Sequence, residues 1–125
     1  MTGNPCVWFE IYVQDMNRAK RFYEAVFKVS MQKLNSPSQE MEYWTFPSEQ
    51  TSYGSGGALV KMDGMSAGGA STTVYFQCND CAVEEARAKE AGGRIHRSKM
   101  SIGEYGHISL VYDTEGNMIG LHSMT

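Results

Sequence analysis

Apolar and polar residues alternate from Cys6 to Val13, with Val7, Phe9, Ile11 and Val13 on one face and Trp8, Glu10 and Tyr12 on the other. Period-two alternation in β-branched and aromatic residues predicts a strand. The uniformly apolar face is expected to pack against helices. The mixed face is expected to wall a cavity. Asp15 then caps a helix predicted to run to about Lys28. Met16, Ala19, Phe22, Tyr23, Val26 and Phe27 recur on it at helical spacing, and Arg18, Lys20, Arg21 and Glu24 fall on the wetter side. Further strands are predicted over 29–34, 41–46 and 56–62. Asn35-Ser36-Pro37-Ser38 marks a turn, 47–55 a polar loop, and 63–69 a Gly-, Ser- and Met-rich linker.

The pattern then starts again. Thr72 to Cys78 reads as a strand. Asp80 caps a helix to about Ala91, with Val83, Ala86, Arg87 and Ala91 near one stripe, and Gly92-Gly93 stops it. Strands follow over 94–98, 107–112 and 117–123, the last after an Asp113-x-x-Gly116-Asn117 turn. Asp15 and Asp80 lie 65 residues apart, as do Trp8 and Thr73, while Gly57-Ala58-Leu59 precedes Ile119-Gly120-Leu121 by 62. Neither half buries a core alone. The expectation is an α+β protein: one domain over 1–125, made of two β-α-β-β-β modules at about 5–63 and 71–124. They would form a cupped mixed sheet with the helices outside.

Composition narrows the function classes. A net charge of −3, with no block of Lys and Arg, argues against a nucleic-acid partner. No apolar run approaches the ~20 residues of a membrane span. The N-terminus lacks the basic-then-apolar order of a signal peptide. Three cysteines do not make a disulfide framework. A cytoplasmic protein is expected.

Three stretches carry a resemblance: Val13 to Tyr23 (Val-Gln-Asp-Met-Asn-Arg-Ala-Lys-Arg-Phe-Tyr), the helix end Ala91-Gly92-Gly93, and Asp113 to Leu121. In this order and spacing the chain resembles the vicinal-oxygen-chelate superfamily, the glyoxalase, bleomycin-resistance and extradiol-dioxygenase group. The resemblance implies paired modules whose cup, in metal-dependent members, holds a divalent metal. Its ligands, His or Gln and Glu, come from the first and fourth strands of each module. Those positions fall here on Trp8, Ala58, Thr73 and Gly120. An indole nitrogen has no lone pair to give, a methyl gives nothing, and a threonine hydroxyl is a poor ligand. No metal and no other cofactor is therefore expected, and metal-dependent catalysis is not expected either.

The polar and aromatic groups left on the strands are Trp8, Glu10, Tyr12, Trp44, Tyr75, Gln77, His107, Met118 and His122, and these are the candidate ligand-binding residues. Glu10 stands out, because a mid-strand charge is costly unless paired. It either bonds a neighbouring Tyr or His or faces solvent, or it anchors a ligand or moves a proton. His107 and His122 lie near strand ends, where a histidine is more often a satisfied structural group. A substitute metal set of Glu10, His107 and His122 is not forced by any spacing. Cys78-Asn79-Asp80-Cys81 reads as two unrelated cysteines around a helix cap rather than a redox or zinc motif.

The expected function is a metal-free, homodimeric protein binding a small organic molecule in an aromatic cup. One alternative is a lyase or isomerase using Glu10 as base or a non-standard metal site. A second is an interaction module without ligand.

Overall fold

The structure is a computed structural model and describes every residue except 1–2, 37–39, 66 and 69–70. Pro37 and Ser38 of the expected turn, and parts of the expected 63–69 linker, lie outside the described residues. Two compact units divide the chain: Trp8–Thr72, and Thr73–Thr125 together with Met1–Val7. The N-terminal residues join the later unit, where the Gln77 amide donates to the Pro5 carbonyl at 3.1 Å.

The first unit takes β1 (Cys6–Tyr12) from Trp8 onward, then α1 (Met16–Phe27), β2 (Gln32–Leu34), β3 (Met41–Thr45) and β4 (Gly56–Met62). Its strands lie in the order β2-β3-β4-β1. β1 and β4 are parallel, with Glu10 opposite Ala58, and the other pairs are antiparallel. The second unit repeats the plan with β5 (Thr72–Gln77), α2 (Cys81–Glu90), β6 (Arg94–Ser101), β7 (His107–Tyr112) and β8 (Met118–Ser123). Its order is β5-β8-β7-β6, again with one parallel pair, β5 and β8. The α+β class and the two β-α-β-β-β modules are thus as expected.

Local chemistry explains the helix ends. Asp15 Oδ1 accepts the Arg18 amide at 3.0 Å, and Asp80 Oδ1 accepts the Ala82 amide at 3.0 Å, each satisfying a donor the helix leaves open. In the Asp113 turn, Oδ1 accepts the amides of Glu115 at 2.8 Å and Asn117 at 2.9 Å, with Gly116 at φ 82°.

The α1 face of the first unit is sealed by Met16, Met31 and Leu59, with Ile11, Val13, Ala19, Tyr23, Trp44 and Phe46 packed around them. Leu59 is fully buried, a contribution of roughly 1.5–3 kcal/mol. Gly57 admits the Phe9 ring, which lies where a side chain would start. Only part of the predicted α1 stripe reaches this core. Phe22, Val26 and Phe27 remain 58%, 53% and 60% exposed, because the apolar arc is wider than the surface it covers.

α2 differs more. Its packed residues are Cys81, Glu84, Glu85 and Ala88, not Val83, Ala86 and Arg87, which are exposed. β6 also extends to Ser101, beyond the expected Ser98, because its tail pairs with the start of β7.

Candidate functional site

The side chains of β1 separate as the alternation requires. Ile11 and Val13 pack with the α1 cluster, and Trp8 and Tyr12 pack with Ala58, Val60, Tyr43, Met62 and Met65 on the opposite face. Glu10 points into this second group and is only 4% exposed. Its Oε2 accepts the Trp8 indole N–H at 3.1 Å, and its Oε1 accepts the Tyr12 hydroxyl at 3.0 Å. Tyr43 bonds the same carboxylate, and its phenol is pushed well above the ordinary tyrosine value, first by burial and then by the Glu10 charge. A carboxylate with aromatic donors on both oxygens keeps a fixed orientation at modest desolvation cost.

Trp44, a candidate ligand-binding residue, lies on the α1 side of the sheet, away from Glu10. It pairs with Leu59 and joins the α1-side cluster. Lys20 Nζ sits 3.3 Å from its ring centroid, and its indole N–H donates to Glu42 Oε1 at 2.9 Å. Tyr43, one residue earlier and opposite Val60, takes its place beside Glu10.

In the second unit, Tyr75 and Gly120 are register partners, and the buried Tyr75 ring occupies the space a Gly120 side chain would need. Gln77 pairs with His122, which donates through Nε2 to the Tyr105 carbonyl at 2.6 Å, and Met118 is half-buried on the same face of β8. His107 lies on the other face. It pairs with Ser123, whose hydroxyl accepts the Cys81 amide at 3.0 Å on the α2 side. His107 and His122 therefore do not converge.

The α2 side holds a polar cluster. Ser109 donates to Glu85 Oε1 at 2.7 Å, and that oxygen also accepts the Lys99 amide at 2.7 Å. Lys99 Nζ bridges to Asp80 at 2.8 Å. That bond is the main reason the Asp80 carboxyl is held below its ordinary value and the Lys99 ammonium above its own. Burial, followed by the Glu84 carboxylate, pushes the Cys78 thiol up to about 11.

The four positions on which the resemblance places metal ligands, Trp8, Ala58, Thr73 and Gly120, supply few donors. The Trp8 nitrogen is a committed donor to Glu10, Ala58 and Gly120 offer no atom, and Thr73 offers one neutral hydroxyl. Tyr75 covers Gly120. Among the described residues no three His, Cys, Asp or Glu side chains are grouped to hold a metal ion. The donor set does not fit the family's divalent metal.

The profile of the Glyoxalase/Bleomycin resistance protein/Dioxygenase superfamily matches residues 6–121. The chain belongs to this family. No protein of curated function matches it. Among solved structures, it is similar to a single-substitution variant of the Streptomyces coelicolor methylmalonyl-CoA epimerase in complex with 2-nitronate-propionyl-CoA. The identity is 15%, the TM-score 0.68, and 96% of each chain is covered. The Mycobacterium tuberculosis methylmalonyl-CoA epimerase is 13% identical with a TM-score of 0.69, covering 97% of this chain and 88% of that one. A hypothetical protein from Bacillus halodurans C-125 is 11% identical with a TM-score of 0.71, covering 96% and 94%. These likenesses establish the fold. Among the described residues, no helix is long and apolar enough to cross a membrane.

Proposed function

We propose that this chain is a metal-free, single-domain binding member of its superfamily, which takes a small organic molecule against the wall formed by Trp8, Glu10, Tyr12 and Tyr43. The observation that carries the reading is the buried Glu10 carboxylate, held by the aromatic donors Trp8 and Tyr12. Aromatic rings supply large, stiff contact area, and the oriented carboxylate supplies direction. Met62 and Met65 border the wall with adaptable thioethers. A cytoplasmic homodimer fits this reading. The exposed Phe22, Val26 and Phe27 support self-association, which would cover apolar surface.

The test is elemental analysis of the purified protein combined with turnover assays on hemithioacetal and catechol substrates, each common divalent metal being added in turn. Less than stoichiometric metal and no turnover are expected. Both chemistries need a cation to hold adjacent oxygens or to activate dioxygen. A metal-dependent kcat near ~10 s⁻¹, the ordinary enzyme range, would refute the binding reading. Turnover without metal, lost in Glu10→Gln, would instead select the second reading, a lyase or isomerase with Glu10 as base.

A further inference from the structure

We propose that the face of the second unit turned away from α2 binds a small organic carboxylate, with Arg94 and Arg97 of β6 holding the anion and Leu110, Ile108 and Met118 carrying its apolar body. This site is built from the second unit alone and does not rest on the Glu10 wall.

Strand register defines the face. Ile95, Val111, Ile119 and Leu121 pack with Cys81 and Ala88 on the α2 side. The residues between them point the other way. There Arg94 stands beside Tyr112, and Tyr112 beside Met118. Arg97 stands beside Leu110, about 7 Å further along the strand, and Met100 beside Ile108. Leu110, Ile108 and Met118 are half-buried, so they offer an apolar floor, while both arginines are exposed at its edge.

The state of the cations points to an anion. On the α2 side of β6, Lys99 is paired with Asp80 at 2.8 Å. Among the described residues neither Arg94 nor Arg97 forms an ion pair with a carboxylate. The Arg94 guanidinium is held instead over the Tyr112 ring, with Cζ 4.5 Å from the centroid. His96 meets the same ring edge-on, the centroids 5.4 Å apart and the planes at 80°. Attraction to a ring positions a guanidinium without spending its planar fork of N–H donors, which matches the two oxygens of a carboxylate. Arg97 is steadied on the same face only by a weak bond from Nη1 to the Met100 sulfur at 3.8 Å, which an oxyanion would displace. Basic side chains on an edge strand also discourage pairing with another sheet. That role is served from either face, whereas both arginines here flank the apolar floor. A carboxylate with an apolar body satisfies the forks and covers the floor together.

The test titrates ¹⁵N-labelled protein with 2-naphthoate, with its neutral isostere 2-naphthamide, and with acetate, which has the charge and no apolar body. The readouts are the Nε–H signals of Arg94 and Arg97, with the Trp8 indole N–H as monitor of the Glu10 wall. Naphthoate is expected to shift both arginine signals saturably, with the amide and acetate each binding at least ~10-fold more weakly. Arg94→Gln, a change at an exposed position, should bring naphthoate down to the level of the amide. The comparison of the three probes on the native protein stands even if that variant fails to fold. Equal affinity for naphthoate and naphthamide, or for naphthoate and acetate, overturns the proposal. So does a naphthoate response confined to Trp8, with neither arginine signal moving.

Discussion

Replacing Glu10 by alanine removes an acceptor shared by three aromatic donors, Trp8, Tyr12 and Tyr43. Tyr12 is almost wholly buried, so its hydroxyl cannot turn to water, whereas Trp8 is half-buried and its indole N–H can. A buried donor left unpaired costs about 1–3 kcal/mol, with Tyr12 in the upper part of that range and Trp8 at the foot. Relief of a buried charge offsets some of the loss. The net expectation for Glu10→Ala is a destabilisation of ~2–4 kcal/mol. Glu10→Gln should cost about 1 kcal/mol, because the Tyr12 hydroxyl can rotate to accept from the new amide while the amide oxygen keeps the Trp8 bond. Urea unfolding followed by fluorescence and circular dichroism measures both. With a slope of roughly 1–3 kcal/mol per molar, the alanine variant should unfold at a midpoint lower by ~1–2 M. An alanine variant as stable as the native chain, or a glutamine variant less stable than alanine, would refute the assignment of Glu10 as the shared acceptor.

Gly120→Ala should destabilise by ~1–3 kcal/mol, because its methyl overlaps the Tyr75 ring, and adding Tyr75→Ala should recover part of that loss in a double-mutant cycle. Asp80→Asn keeps the capping oxygen but removes the negative charge paired with Lys99. Because the folded Asp80 value is lowered from 3.8, its stabilisation is present above that pH and is lost as pH falls through the folded value. Because the folded Lys99 value is raised from 10.5, its share is present below that pH and is lost as pH rises through the folded value. The stability difference between the native protein and the Asp80→Asn variant should therefore be flat near neutrality and shrink at both extremes, as pH-dependent unfolding would show. The Cys78 thiol, pushed up to about 11, should react slowly with iodoacetamide at pH 8 and accelerate only toward pH 11, with peptide mass spectrometry as the readout.

The parts legible in the sequence were those with a strong period. Strict alternation in β1 separated Glu10, Trp8 and Tyr12 from Ile11 and Val13, and the structure keeps that division. β3 has no such contrast, because aromatic residues occupy adjacent positions. Only pairing with β4, which sets Tyr43 opposite Val60 and Trp44 opposite Leu59, decides which ring faces Glu10. The β7 pattern misleads for a different reason. His107 reads as a ligand-binding candidate, yet its face of β7, shared with Ser109, lies toward α2, where Glu85 satisfies Ser109. That inversion also explains the α2 stripe. In a helix rich in alanine and charge, bonds from Ser109 and the Lys99 amide choose the packed face in place of hydrophobic contrast. The exposed Phe22, Val26 and Phe27 show the limit of periodicity, since a stripe tells which side is apolar but not how much of it is covered.

The central claim, small-molecule binding at the Glu10 wall without a metal, is tested most directly by one titration. The Trp8 and Trp44 indole signals would be followed while neutral, anionic and cationic fragments are added in the presence of a strong chelator, and again with divalent metals. The account predicts that at least one fragment class moves Trp8 saturably while Trp44 stays fixed, with the same affinity in both conditions. It would be contradicted if no fragment moved Trp8, or if Trp8 responded only once a metal was present.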